Sequence, residues 1–69
     1  MVGVTGAIGY FITKYGEEII VIGFDSLNEN VTVSINRANK KNYKMYLDKR
    51  ERYYFKYRGL RYYFDSMIS

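Results

Sequence analysis

The 69-residue chain contains no cysteine, no histidine, no proline and no tryptophan. Without cysteine it can form neither disulfides nor thiolate zinc sites. Without histidine it lacks the commonest metal ligand and the commonest acid–base side chain. The absence of cysteine also suits a reducing compartment. Long apolar runs are missing too. The longest, Ile19–Phe24, falls far short of the roughly 20 residues that cross a bilayer. No basic residue precedes the apolar Ala7–Ile12 stretch, so a signal-peptide pattern is not seen. The expectation is a single small domain, intracellular and cytoplasmic. A chain this short buries a modest core, and with no metal or disulfide to help, a homodimer is expected.

These absences also argue against an enzyme. Asp, Glu, Lys, Tyr and Ser remain as reactive groups, and no spacing among them pairs a nucleophile with a base. Val4-Thr5-Gly6-Ala7-Ile8-Gly9 has the glycine spacing of a dinucleotide-binding turn. That fingerprint works only where a strand runs into a helix whose N-terminus holds the pyrophosphate, and the residues that follow here read as a strand. No Gly-Lys-Ser/Thr follows either, so a P-loop is excluded. Gly3, Gly6 and Gly9 read instead as places for a bend or a close backbone approach. The adjacent carboxylates Glu17 and Glu18 are too little for a metal site. No cofactor and no metal is expected.

What the chain has in quantity is tyrosine and positive charge. Seven of the nine tyrosines lie between Tyr43 and Asp65. Two turns organise this stretch. Arg58-Gly59 suits a two-residue hairpin loop, where positive φ is required. It pairs Tyr57 with Leu60, Phe55 with Tyr62, and Tyr53 with Phe64 on an apolar face. Lys56–Arg61, Tyr54–Tyr63 and Arg52–Asp65 fall on the opposite face. A three-residue loop at Lys49–Glu51 pairs Asp48 with Arg52, Leu47 with Tyr53, Tyr46 with Tyr54, Met45 with Phe55, and Lys44 with Lys56. Tyr43, Met45 and Leu47 then join the core face; a slip of one residue would turn them outward.

Three rows follow on the outward face. Lys44–Lys56–Arg61 is a row of like charges, which is unfavourable unless an anion is near. Tyr46–Tyr54–Tyr63 is a row of aromatic rings. Asp48–Arg52–Asp65 alternates in sign across the strands and reads as structural. Rings beside cations meet the needs of a single-stranded nucleic acid, with π faces for bases and charge for phosphates. The same pattern also serves sheet stability alone, through cross-strand aromatic pairs of roughly 0.2–1 kcal/mol each and lysine stems packed over rings.

Upstream, Ala7–Thr13 and Glu18–Phe24 read as strands joined through Tyr15-Gly16. That loop pairs Ile12 with Ile19, Phe11 with Ile20, and Tyr10 with Val21. Both faces of this hairpin are apolar, which asks for cover on both sides. Asp25–Asn30 is a turn. Val31–Asn36 alternates, with Val31, Val33 and Ile35 inward. Residues 37–42 are polar and basic. A helix running on into 43–47 is the alternative to a strand there; it would place Tyr43, Tyr46, Leu47 and Arg50 on one face. Met67 and Ile68 near the end suggest docking on a core or on a second copy. The fold class expected is all-β: an antiparallel meander of five or six strands, as a curled sheet or small barrel, with one short helix near 37–47 as the variant.

Charge is segregated along the chain. Residues 1–35 hold one basic and four acidic residues, and residues 36–69 hold ten basic and three acidic. Unless the fold interleaves the halves, the domain has a positive side. The function expected is therefore a non-enzymatic binder of an anionic partner, foremost single-stranded nucleic acid. Lys44, Lys56 and Arg61, with Arg37, Lys40 and Lys41, would neutralise phosphates, and Tyr46, Tyr54 and Tyr63 would stack bases. Two alternatives stand beside it. One is a phage-type or mobile-element accessory protein that uses the same face to cap an acidic surface of a host protein such as a defence nuclease. The other is sequestration of a phosphorylated small molecule between two protomers.

Overall fold

The computed structural model describes residues 8–64. Their backbone is built from seven antiparallel strands: β1 (Gly9–Ile12), β2 (Glu18–Asp25), β3 (Asn30–Ile35), β4 (Lys41–Lys44), β5 (Tyr46–Leu47), β6 (Tyr53–Tyr57) and β7 (Leu60–Tyr63). They form a four-stranded sheet, β1-β2-β3-β4, and a three-stranded sheet, β5-β6-β7, so each sheet is a meander in chain order. Among the described residues no ladder joins the two sheets, so the barrel variant is not what forms. Nor does the helix: among the described residues there is none, and residues 41–47 are strand on either side of Met45. Gly3, Gly6, Asp65, Met67 and Ile68 lie outside the described residues.

The turns account for most of this order. Arg58 and Gly59 both have positive φ, 52° and 78°. The hairpin they close has the register expected, Tyr57↔Leu60 through Tyr54↔Tyr63. The Lys49–Glu51 loop also forms. Asp48 N–H donates to the Arg52 carbonyl at 3.0 Å and Glu51 N–H to the Asp48 carbonyl at 3.0 Å. Asp48 Oδ1 accepts the backbone N–H groups of Arg50 and Arg52, each at 2.9 Å, which caps the loop from inside.

The first hairpin differs from expectation by one residue. The observed pairs are Ile12↔Glu18, Phe11↔Ile19, Tyr10↔Ile20 and Gly9↔Val21. Thr13 is the cause. Its hydroxyl accepts the N–H groups of Tyr15 at 3.2 Å and Glu17 at 3.1 Å. Its own N–H donates to the Glu17 carbonyl at 2.9 Å. The loop therefore lengthens to Lys14–Gly16, with Gly16 at φ 82°. Its inward residues, Phe11, Ile19 and Val21, face the second sheet, while Tyr10 and Ile12 remain 46% and 60% exposed. Among the described residues the second sheet covers this hairpin on its Phe11–Ile19–Val21 side.

The larger difference is at Met45. A single strand over 43–47 was expected to pair with β6 throughout. Instead Tyr43 and Lys44 pair with Val31 and Asn30 of β3, and only Tyr46 and Leu47 pair with β6. Met45 is the one residue between the two sheets. Its N–H donates to the Glu29 carbonyl at 2.8 Å. Its side chain is 4% exposed in the core.

The core fills the space between the sheets. Ile19, Val21, Val31 and Val33 come from one side, and Phe55 and Phe64 from the other, with Met45 at the crossing. Aromatic rings join the layers: Phe11 meets Tyr62 edge-on at 5.1 Å, Phe24 meets Phe64 at 5.7 Å, and Tyr43 meets Phe55 at 5.8 Å. Such contacts add roughly 0.5–1.5 kcal/mol each beyond the area they bury. Gly9 is a point of close approach; a Cβ there would lie 3.3 Å from Phe64 Cβ and 3.2 Å from Val21 Cγ2. Leu47 and Leu60, expected on the core face, are 55% and 44% exposed. Each adjoins a turn, Leu47 that between β5 and β6 and Leu60 that between β6 and β7.

Candidate nucleic-acid interface

The outward face of β5-β6-β7 carries the tyrosine row in the expected register, Tyr46↔Tyr54↔Tyr63. Tyr46 and Tyr54 stack at 5.3 Å with 19° between their planes, and Tyr54 meets Tyr63 at 5.1 Å and 45°. Tyr54 is therefore enclosed on both flanks and is 7% exposed. Tyr46 and Tyr63, at the ends of the row, are half-buried.

Each ring also carries a cation. Arg61 Cζ lies 4.6 Å from the Tyr54 centroid and Arg52 Cζ 4.5 Å from that of Tyr63. Lys56 Nζ and Lys44 Nζ stand 5.2 and 5.7 Å from Tyr46. The aromatic surface thus absorbs part of the repulsion between Lys56 and Arg61, which face each other across β6 and β7. The row of three like charges is not a continuous ladder row. Lys44 pairs with Asn30 instead of Lys56, and its ammonium lies 3.3 Å from Glu29 Oε1. It stays near the face through Tyr46.

The other basic residues divide. Arg37 belongs elsewhere: its Nε donates to Glu18 Oε1 at 2.9 Å, at the end of β3 away from Lys44. Lys41 pairs in register with Val33 and is exposed, as is Lys40. Among the described residues neither lysine has a carboxylate within ion-pair distance.

Charge segregation is partly undone by folding. Three ion pairs, Glu18–Arg37, Glu29–Lys44 and Glu17–Arg58, link a carboxylate of the first half to a cation of the second. Glu17 and Glu18 each join a tyrosine and an arginine. Tyr57 and Tyr10 donate their hydroxyls to Glu17 and Glu18 respectively, both at 2.6 Å. Adjacent in sequence, the two carboxylates are thus engaged by separate partners rather than with each other. Hydrogen bonds from Tyr57 and then Arg58 hold the Glu17 carboxyl below its ordinary pKa; Arg37 and then Tyr10 do so for Glu18. Among the described residues no group of three or more potential acidic metal ligands is present.

Near the tyrosine row, Lys56 and Arg61 on the sheet face and Lys49 and Arg50 on the adjoining β5–β6 loop also lack a carboxylate partner among the described residues. Those loop residues were read in the sequence as turn residues only. The adjacent Lys49-Arg50 pair was the available signal, but a loop gives no periodicity from which to infer the face it overhangs.

No protein-family model matches the chain, and no curated protein or solved structure is found to be similar to it.

Proposed function

We propose that this protein is a non-catalytic binder of single-stranded nucleic acid, acting through the outward face of β5-β6-β7. The observation that carries the reading is the association of every ring in the Tyr46–Tyr54–Tyr63 row with a lysine or arginine. Lys56 and Arg61 lack carboxylate partners among the described residues. A strand lying along this face would meet cations held in place, while Tyr46 and Tyr63 offer ring surface at the ends of the row. Lys44 stands at one edge beside Glu29, and Lys40 and Lys41, without carboxylate partners among the described residues, add positive charge at the start of β4. Tyr54 supports the row from within. Because contacts of this kind displace counterions, binding weakens steeply with salt.

The test is fluorescence anisotropy with a labelled single-stranded oligonucleotide at low and high salt. Affinity in the micromolar range or tighter is expected at low salt. A large loss is expected at high salt, with a further loss in Lys56→Ala. Duplex DNA of the same length should bind more weakly, since its bases are not free to stack. Equal binding of duplex and single strand would reduce the face to a charge patch. No binding at low salt would remove the nucleic-acid role, leaving the same rings and cations as a patch for an acidic protein surface.

A further inference from the structure

Above Tyr54 the outward face is hollowed. A pocket of about 410 Å³ lies between the sheet and the β5–β6 loop, with Tyr54 and Arg61 contributed by the sheet and Leu47, Lys49, Arg50 and Arg52 by the approach to the loop and the loop itself. Four of its residues are cationic. Among the described residues Asp48 is the one acidic residue in the lining, and it is committed to its own loop. It accepts two backbone N–H groups at 2.9 Å and lies 3.4 Å from Arg52 Nε. These contacts, led by the Arg52 N–H, hold its carboxyl below the usual range.

Two guanidinium groups are positioned in advance. Arg61 rests on the Tyr54 ring at 4.6 Å, and its Nη1 donates to the Tyr63 hydroxyl at 3.4 Å. Arg52 is held between Asp48 and the Tyr63 ring. Planar forks fixed in this way suit a phosphate, whose oxygens accept paired N–H bonds. Lys49 and Arg50 stand on the loop without carboxylate partners among the described residues. The volume exceeds what a bare phosphate needs and falls in the small-ligand range of about 300–1,000 Å³. Leu47 supplies an apolar wall.

We infer that this pocket binds the terminal phosphomonoester of a nucleotide, whether on the end of a strand or on a free mononucleotide. Charge separates this ligand from an internal phosphate. A phosphodiester carries one negative charge, a phosphomonoester about −1.5 to −2 near neutrality. Among the described residues, four lining cations opposed by one committed carboxylate favour the dianion. The loop also walls one side, which suits an end better than a strand passing through. The strand-end form rests on the reading proposed above; the pocket's preference for a phosphomonoester does not.

The experiment compares oligothymidylates of about ten nucleotides bearing a 5′-phosphate, a 3′-phosphate or hydroxyl ends, together with thymidine monophosphate and thymidine. One phosphorylated end should bind roughly fivefold tighter or better than the hydroxyl strand. That ratio should fall toward one in Arg50→Ala and in Lys49→Ala. It should also fall from about pH 7.5 to about pH 5.5, because the phosphomonoester takes up a proton near pH 6 while the protein has no histidine to titrate there. Amide shifts at residues 49–52 and 61 on titration with the mononucleotide, absent with the nucleoside, locate the site.

Tighter binding of the phosphorylated strand than of the mononucleotide assigns a strand end; equal binding assigns a free nucleotide. Both outcomes uphold the site. Mononucleotide binding without oligonucleotide binding keeps the site and removes the single-strand reading. If phosphorylated and unphosphorylated ligands bind alike, the site is overturned, whatever the fate of that reading.

Discussion

The hydroxyl of Tyr57 donates to Glu17 Oε2 at 2.6 Å, joining residues forty positions apart in the chain. Arg58 completes the contact through Nε at 2.8 Å and Nη2 at 3.2 Å. The β1–β2 turn is thereby tied to the β6–β7 turn, and one sheet to the other at the hairpin tips. The Glu17 carboxyl is held below its ordinary pKa by these donors. A depressed folded-state value contributes stability that is present above the unfolded value of about 4.3 and is lost as pH falls through the folded value. Urea midpoints should therefore decline in acid. Glu17→Gln should lower the midpoint at neutral pH and make the acid decline shallower. An unchanged acid decline would show that the tie contributes nothing. On the alkaline side Tyr57 is raised above its ordinary value, chiefly by the same hydrogen bond. Its contribution is present below about pH 10 and lost above.

Met45 is the crossing residue, and truncating it should cost about 2–5 kcal/mol. For a domain of this size that is a large share of a total near 0.05–0.15 kcal/mol per residue. Met45→Leu keeps the volume and should cost less than about 1.5 kcal/mol. Met45→Pro should be worse than either, since it also removes the N–H that donates to Glu29. Chemical denaturation of the three variants checks the order.

Glycines give a paired test. At Gly9 an added Cβ meets Val21, Phe11 and Phe64 within 3.2–3.3 Å. At Gly23 nothing lies within 4 Å. Gly9→Ala should destabilise the fold, while Gly23→Ala should be neutral or slightly stabilising, because alanine restricts the unfolded chain. Melting temperatures that shift alike in both would contradict the close approach of β1 to Phe64.

Two tyrosines in one row should behave differently. Tyr54→Ala removes an enclosed ring and should lower stability by about 3 kcal/mol, so any lost binding would be secondary to unfolding. Tyr46→Ala should cost roughly 1 kcal/mol of stability and weaken single-strand binding by about 1–3 kcal/mol if a base stacks there. Circular dichroism melts beside anisotropy titrations separate the two effects.

The sequence was most informative where a turn left little choice. Arg58-Gly59 set the β6–β7 register and the Asp48–Arg52 loop set that of β5–β6. The β1–β2 register was misjudged because a side chain intervened: the Thr13 hydroxyl competes for backbone donors, which alternation of apolar residues does not encode. The break at Met45 was hidden for another reason. Tyr43, Met45 and Leu47 alternate identically whether they serve one sheet or bridge two. The tyrosine row was legible as a register; its burial at Tyr54 and the cations lying over its rings depend on twist and side-chain reach. The charged pocket was not legible, since Lys49 and Arg50 overhang it from a loop.

The crossing at Met45 gives synthesis of the protein a definite order. By the time Lys44 has left the ribosome, all four strands of the first sheet are present, each able to pair with its neighbour in the chain. Its inner surface of Ile19, Val21, Val31 and Val33 then lacks Phe55 and Phe64, the rings it packs against, until they follow. A ribosome stalled between Lys44 and Phe64 would thus hold an incompletely packed apolar sheet, the species most prone to aggregate or to engage a chaperone.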